Sequence, residues 1–197
     1  MAPRTATVRR ETRETRVELA LNVDGSGHGD VNTGIGFLDH MLDSLARHAR
    51  FDLTVRAEGD LHVDQHHSAE DVGLALGQGL NEALGERRAI RRFGDATVPL
   101  DEALVLVAID LGGRPWSSID LPFRGAAIGD LPTELIPHFL QSLAQEGRFS
   151  LHVRLLAGEN DHHRAEATFK ALARALDDAT RHDPRLGSQV PSTKGVI

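Results

Sequence analysis

The sequence predicts an α+β protein built from two duplicated half-domains, each with a mixed four-stranded sheet and two helices. Residues 37–56 and 135–154 align without a gap at a constant offset of 98. Both copies change from the helical spacing of apolar residues to the alternation that is typical of a strand. A chain of 197 residues is long enough for two packed halves of about 90 residues each. We place the half-domains at residues 1–94 and 95–184, followed by a C-terminal tail at residues 185–197.

The elements of the first half follow from the spacing of its apolar residues. Alternation predicts strands, and apolar residues three or four apart predict helices. The predicted elements, in chain order, are a strand at 17–23, a helix at 37–45, strands at 51–55 and roughly 60–63, and a helix at 67–84.

The second half repeats this plan after a connector at residues 91–94. Its predicted elements are strands at 103–111 and 116–121, a helix at about 133–145, a strand at 149–155, and a helix at about 162–179. The repeat therefore predicts similar sheets in both halves, with the helices of each half on one face of its sheet.

The repeated positions include candidate metal ligands as well as apolar residues. After a two-residue slip in the alignment, the two HH pairs coincide, and each is followed two residues later by Ala-Glu. Imidazole and carboxylate groups suit borderline divalent metals. The sequence therefore predicts a duplicated metal site. Its candidate ligands are His40, His66, His67, Glu70, His138, His162, His163 and Glu166.

The spacing of these ligands indicates how they are shared. Adjacent side chains on a helix point about 100° apart, so we expect each HH pair to serve two different metals. His66 with Glu70, and His162 with Glu166, lie one helical turn apart on one face. Without a cysteine ligand, the set suits Mn, Fe, Ni or Zn. The alternative is that these are surface histidines at helix starts, which the internal repeat disfavours.

Composition narrows the choice of partners. A net charge of −7 argues against nucleic acid, because a polyanion requires a basic face. The absence of cysteine excludes disulfides and suits a cytoplasmic protein. The first fifteen residues lack the apolar core of a signal peptide, and no stretch is apolar enough to span a membrane. We expect a soluble, cytoplasmic protein with no membrane partner.

Six segments spread over the chain carry a resemblance to a known family. They are RETRETRVELALNVDGSG, TGIGFLDHMLDSLARH, DQHHSAED, RRFGDATVPLDEAL, HHRAEATFKALARAL and the C-terminal PSTKG. In these segments the chain resembles the imidazoleglycerol-phosphate dehydratases, enzymes of histidine biosynthesis, over nearly its whole length. The resemblance implies a ribosomal protein S5 domain 2-like fold, in which the helices of both halves pack together between the two sheets.

The implied activity is that of a carbon–oxygen lyase, a hydro-lyase that converts D-erythro-imidazole glycerol phosphate to imidazole acetol phosphate. The resemblance implies two Mn²⁺ per active site, which would bind the substrate ring as an imidazolate and lead to a diazafulvene-like intermediate. It assigns proton transfer to Glu14 and to Glu166, the latter also being a metal ligand. From the residues alone, Glu14 is equally well explained as an ordinary solvated charge.

The resemblance also implies a set of substrate contacts. Guanidinium groups suit bidentate capture of phosphate, and Lys170 lies one helical turn beyond Glu166. We interpret residues 192–194 in the tail as a flap that closes over the substrate. The implied substrate-binding residues are Glu14, His48, Arg92, Arg114, Lys170, Ser192, Thr193 and Lys194. The family further implies a homo-oligomer of about 24 subunits built from trimers, with metal sites at subunit contacts.

Two other functions fit paired metals. One is a dinuclear metallohydrolase acting on a small phosphate ester, and the other is a metal-storage or structural metal protein. The hydrolase requires neither the RETRET segment nor the PSTKG tail, and the storage protein requires no phosphate pocket. Four histidines carry no assignment. His28 is predicted in a turn, His62 and His152 on strands, and His182 near the end of the last helix.

Overall fold

Alternating apolar residues build two four-stranded sheets in the computed structural model, which describes residues 3–197. The first half contributes β1 (Thr5–Glu11), β2 (Thr15–Asn22), β3 (Gly29–Asn32) and β4 (Asp52–Gly59), in the sheet order β1-β2-β4-β3. The second half contributes β5 (Phe93–Leu100), β6 (Ala103–Asp110), β7 (Trp116–Asp120), the short hairpin strands β8 (Ala127–Ile128) and β9 (Leu131–Pro132), and β10 (Ser150–Ala157). Its main sheet has the order β5-β6-β10-β7.

The pairing of the strands repeats as well. In each sheet two antiparallel pairings are followed by one parallel pairing, between β3 and β4 or between β7 and β10. Leu19 pairs with Val55 in the first sheet, and Val107 pairs with Val153 in the second. The offset between the halves is therefore 88 for β2 and β6, and 98 for β4 and β10. This register confirms the predicted duplication.

The helices form the layer between the two sheets, as predicted. They are α1 (Gly36–Ala49), α2 (His66–Leu84), α3 (Leu135–Glu146) and α4 (Asp161–Thr180), followed by a 3₁₀ turn at Pro184–Leu186. Helix α2 packs on β1 and β2, and α4 packs on β5 and β6. Each of these helices also packs against a helix of the other half, α2 against α3 and α4 against α1. The aromatic rings of Phe139 and Phe169 lie 5.7 Å apart in this layer.

Some predicted elements differ from the structure. The strand predicted at residues 60–63 is wrong: these residues form a turn, in which Val63 N–H donates to the Asp60 carbonyl oxygen at 2.7 Å. His62 therefore lies in a turn and not on a strand. The residues predicted as a connector include Phe93, where β5 begins. The second sheet thus starts two residues before the boundary that we placed between 94 and 95.

None of the helices in the described part of the chain combines the length and apolar character that crossing a membrane requires.

The contact between α2 and α3 generates a stability prediction. A Cβ at Gly77 would lie 2.6 Å from the Leu143 carbonyl oxygen, whereas at Gly79 it would meet only side-chain atoms, with Leu19 Cδ2 nearest at 3.0 Å. We expect Gly77→Ala to lower the free energy of unfolding by about 1–3 kcal/mol, since backbone must shift. Equilibrium unfolding in urea measures this change in free energy. The matched control is Gly79→Ala, for which we expect a change below about 1 kcal/mol, and equal losses would contradict the prediction.

Candidate active site

The helix starts that carry the HH pairs are fixed by neighbouring polar side chains. Asp64 Oδ1 accepts a hydrogen bond from His66 N–H at 2.8 Å at the start of α2. Asn160 Oδ1 caps α4, accepting hydrogen bonds from the N–H groups of His162 and His163 at 2.9 and 3.3 Å. Both contacts satisfy backbone donors that the first helical turn leaves free, and in α4 the contact is a side-chain N-cap.

The first cluster consists of His40 from α1 with His162 and Glu166 from α4. Glu166 Oε2 lies 3.1 Å from His162 Nε2 and 3.7 Å from His40 Nε2. The three ligand atoms lie within 4.8 Å of one another. The cluster therefore combines side chains from both halves of the repeat.

The second cluster repeats this arrangement with His66 and Glu70 from α2 and His138 from α3. Glu70 Oε1 lies 3.6 Å from His138 Nε2, and Glu70 Oε2 lies 4.0 Å from His66 Nε2. His138 Nε2 is buried and has no hydrogen-bond partner among the described residues. An unpaired buried nitrogen that faces a carboxylate and a second imidazole fits a divalent cation, which would satisfy all three groups.

The second histidine of each pair turns away from these clusters. The rings of His66 and His67 are 6.0 Å apart and nearly perpendicular, as are those of His162 and His163 at 6.1 Å. His67 Nδ1 lies 3.0 Å from Asp60 Oδ2, and a hydrogen bond with Asp60 raises the pKa of His67. The two rings of each pair therefore diverge, as adjacent positions on a helix require, and the prediction that they serve two different metals stays a prediction.

His163 has an equivalent partner in the second half. Its Nδ1 lies 2.7 Å from Glu102 Oε2, and this hydrogen bond raises the pKa of the imidazole. Backbone N–H groups of Asn160 and Glu159 also donate to Glu102. The Asn160 N–H, the His163 ring and the Glu159 N–H together lower the pKa of Glu102 to about 2.

Glu14 lies in the turn between β1 and β2, with its Oε2 3.7 Å from His67 Nδ1. The turn is tied to α2, because the Thr15 hydroxyl and Arg10 Nε both donate to the buried Asp71 carboxylate. The hairpin therefore places Glu14 beside the HH pair of α2, with its side chain 55 % exposed.

Lys170 lies next to the first cluster, and His48 lies near Lys170 and Arg174. Lys170 Nζ is 2.8 Å from Glu166 Oε1. Partial burial tends to raise the pKa of Glu166, but the hydrogen bond and charge of Lys170, with the His162 contact, outweigh it and hold the pKa below its usual value. Burial and then the positive charges of Lys170 and Arg174 lower the pKa of His48. Glu166 is therefore ionised and His48 neutral at neutral pH.

The remaining predicted substrate contacts meet in a cavity of about 440 Å³. Arg92 is anchored there by Asp110, whose carboxylate accepts from Nε at 2.7 Å and raises the pKa of the guanidinium. Arg92 also donates to the Pro191 carbonyl oxygen at 2.8 Å, which ties the tail to β5. The cavity, which we call the cationic pocket, is lined by Arg92, Arg114, Ser192, Thr193, Lys194 and, in addition, Arg148.

Arg148 was not predicted as a site residue. Its Nε donates to the Gly113 carbonyl oxygen at 3.3 Å, beside Arg114. In the repeat Arg148 matches Arg50 at the offset of 98, and both residues have a positive φ, of 50° and 60°. Each follows the last turn of a helix, α3 or α1, so the match in the sequence indicates a shared position at a helix end. It does not indicate that Arg148 lines a pocket.

The cationic pocket and the first cluster lie toward opposite ends of α4. Arg92 N–H donates to the Ala179 carbonyl oxygen at 2.9 Å, whereas Glu166 lies 13 residues earlier in the same helix. At the α-helical rise this separation is roughly 20 Å. Within one chain, the structure therefore brings Lys170 to the metal-type ligands and His48 near Lys170, but it does not bring Arg92, Arg114 or the tail there.

The duplicated fold, the two histidine–glutamate clusters and the cationic pocket are typical of an enzyme that uses divalent metal on a small anionic substrate. Comparisons with known proteins identify the family. A model of the family described as imidazoleglycerol-phosphate dehydratase matches residues 33–176. The enzyme of that name from Chloroflexus aggregans is 58 % identical over 194 residues, covering 98 % of this chain and 95 % of that protein.

Two further relatives agree. The chloroplastic imidazoleglycerol-phosphate dehydratase 1 of Arabidopsis thaliana is 54 % identical over 190 residues, covering 96 % of this chain and 70 % of that protein. The crystal structure of the Pyrococcus furiosus enzyme, in complex with (S)-C348, superposes with a TM-score of 0.83 at 37 % identity, covering 96 % of this chain and all of that one. The chain belongs to the imidazoleglycerol-phosphate dehydratase family, whose members are hydro-lyases of histidine biosynthesis. The metallohydrolase alternative finds no support among these relatives.

Proposed function

We propose that this chain dehydrates imidazole glycerol phosphate to imidazole acetol phosphate in the cytoplasm, using two Mn²⁺ per active site. The observation that carries the proposal is the pair of histidine–glutamate clusters, which the repeat presents twice with the same residue types. The orphaned nitrogen of His138 supports a cation in the second cluster, and the pseudo-equivalent geometry supports one in the first. Bound divalent metal would supply Lewis-acid activation of the substrate imidazole.

The chain's own groups account for proton transfer and orientation. Glu166 is kept ionised by Lys170, so it can bind cation or accept a proton at neutral pH. Glu14 is held by the hairpin and offers a second carboxylate beside His67. Neutral His48 next to Lys170 can donate or accept a hydrogen bond with the substrate's hydroxyl groups.

The cationic pocket is proposed to hold the phosphate. Arg92 presents a guanidinium already aligned by Asp110, and Arg114 and Lys194 add charge from the loop after β6 and from the tail. Ser192 and Thr193 supply hydroxyl donors in the same wall. We propose that the segment 192–194 covers the bound substrate, since it forms one side of the pocket.

The separation of this pocket from the clusters supports a site shared between copies of the chain. Roughly 20 Å along α4 is far longer than the three-carbon chain that joins the imidazole to the phosphate of the substrate. We propose that the pocket of one subunit faces the clusters of another, and that His67 and His163 complete the metal sites of neighbouring subunits. The assembly is proposed to be a homo-oligomer of about 24 subunits built from trimers.

The direct test of the proposed activity is incubation of purified protein with imidazole glycerol phosphate and Mn²⁺, with detection of both ketone and inorganic phosphate. Formation of imidazole acetol phosphate without phosphate release supports the proposal. Release of phosphate would indicate a hydrolase, and a protein that binds Mn²⁺ and yields neither product would be a metal-storage or structural protein.

The clusters predict metal content. His66→Ala and His162→Ala each remove a ligand from one cluster, so each variant should retain about one of two Mn²⁺ per chain and lose turnover. Elemental analysis after dialysis, alongside the activity assay, measures both. His152→Ala, an exposed histidine on β10, is the matched control and should keep both ions. Retention of both ions in either cluster variant would contradict the ligand assignment.

The position of Glu14 predicts a loss of turnover without loss of metal. Glu14→Gln keeps the shape of the side chain but removes its proton-transfer function, so turnover should fall by on the order of a hundredfold or more. Steady-state kinetics and Mn²⁺ analysis check this. Glu11→Gln, at the exposed end of β1 in the same hairpin, should remain fully active. Undiminished activity of Glu14→Gln would return Glu14 to a solvated charge.

Sharing of the sites predicts that removal of metal weakens the assembly. Ions that bridge subunits add coordination energy to each interface, and after chelation the facing ligands lose their common partner. Size-exclusion chromatography with light scattering should show a particle of about 24 chains with Mn²⁺ and smaller species after chelation. A fully active monomer would refute the shared site.

A further inference from the structure

The two histidines that turn away from the clusters have the same environment in both halves, although their partners come from different places. His67 Nδ1 is held by Asp60, which follows the end of β4. His163 Nδ1 is held by Glu102, which immediately precedes β6. In both cases the contact uses Nδ1 and leaves Nε2 on the far side of the ring.

We propose that Asp60 and Glu102 are positioning residues that fix His67 and His163 as Nε2 metal donors. An ionised carboxylate only accepts hydrogen bonds, so its partner Nδ1 must carry the proton. The lone pair of the ring then lies on Nε2, the state in which a neutral imidazole ligates a metal. This inference rests on the proposed role of His67 and His163 as ligands that complete the metal sites.

Both carboxylates are themselves held in place. The Asp60 side chain is only 16 % exposed, and its backbone N–H donates to the Glu14 carbonyl oxygen at 3.1 Å. Glu102 accepts two backbone hydrogen bonds, from Asn160 at 2.7 Å and from Glu159 at 3.0 Å. A carboxylate restrained in this way also restrains the rotation of the ring that it contacts.

The repeat explains why the two partners differ. The register of β10 shifts between Leu155 and Ala157, which changes the offset from 98 to 99, so Asp60 corresponds to Glu159. Glu159 contacts Glu102 through its backbone N–H, and its side chain is 78 % exposed and lies 3.9 Å from Arg124. At the offset of 88, Glu102 corresponds to Glu14. In the second half the hairpin glutamate, Glu102, therefore orients His163. In the first half Asp60 orients His67, and Glu14 remains available for proton transfer.

The contacts of Glu14 and Asp101 are consistent with this division. Glu14 Oε2 is 3.7 Å from His67 Nδ1, too far for a hydrogen bond, whereas Asp60 Oδ2 is 3.0 Å away. Asp101 Oδ2 lies 3.5 Å from His163 Nε2, but its side chain is 74 % exposed and is free to leave that nitrogen.

The test is a Mn²⁺ titration of chelator-treated protein, with free Mn²⁺ measured by electron paramagnetic resonance. Asp60→Asn and Glu102→Gln preserve shape but place an amide that can donate to Nδ1 and favour the other tautomer. Each variant should lower the Mn²⁺ affinity of one of the two sites by about 10- to 100-fold, and the double variant should lower the affinity of both sites. A general loss of structure would lower the affinity of both sites in each single variant, whereas the proposal predicts that each single variant affects one site. The melting temperature of the metal-free protein checks that the variants are folded.

Glu14→Gln is the matched control, since Glu14 is the repeat equivalent of Glu102 and makes no hydrogen bond to His67. It should leave both Mn²⁺ affinities unchanged. If wild-type protein binds two ions and the Asp60 and Glu102 variants bind them equally well, the positioning roles are wrong while the proposed metal chemistry stands. If wild-type protein binds no Mn²⁺, the proposed metal chemistry fails and this inference fails with it.

Discussion

The packing of helices from one half against helices of the other is the interaction on which the site depends. Each cluster takes ligands from both halves, His40 from α1 with Glu166 from α4, and Glu70 from α2 with His138 from α3. Neither half-domain alone can build either cluster. The buried faces of α2 and α4 therefore do more than stabilise the core, because they set the distances between groups that must share a cation. Close contacts such as Gly77 against the Leu143 carbonyl oxygen keep those distances short.

The same layer anchors the loops around the cationic pocket. Arg87 is buried, and its guanidinium donates to the carbonyl oxygens of Leu111, Gly147 and Arg148 and to Asn81 Oδ1. These acceptors belong to the end of α2, the loop after β6 and the connection after α3. A buried cation is tolerated when its hydrogen bonds are satisfied, and here they join three segments next to the pocket. The hydrogen bonds of Arg87 thus fix the loops that carry Arg114 and Arg148 relative to each other.

The sequence allowed much of this arrangement to be predicted, because buried central strands and amphipathic helices leave strong periodic signals. Periodicity and the repeat predicted the strands β2, β4, β6, β7 and β10, all the long helices and the candidate ligands. The edge strands β1, β3 and β5 were not predicted, because few of their residues are buried and their apolar alternation is therefore weak. The strand predicted at 60–63 was wrong because Val63 is apolar but exposed in a turn, and an apolar residue at that spacing is typical of a buried strand position. Which ligands share a cluster, and the place of Arg148, depend on contacts distant in sequence, which spacing does not encode.

The duplication provides symmetry where the proposed chemistry needs it and departs from symmetry where it does not. Two similar ions require two similar ligand sets, and the repeat provides them with the same residue types. Proton transfer has no such symmetry, because a dehydration removes one proton and one hydroxide from a single substrate. Glu14 and Glu102 hold the same position of the repeat, but only Glu102 is committed to a histidine. Asp60 contacts His67 in the first half, whereas its equivalent Glu159 contacts Glu102 through its backbone N–H, so Glu14 is left without a histidine partner. This difference after β4 and β10 leaves the carboxylate of Glu14 beside the HH pair of α2 without a hydrogen bond to it.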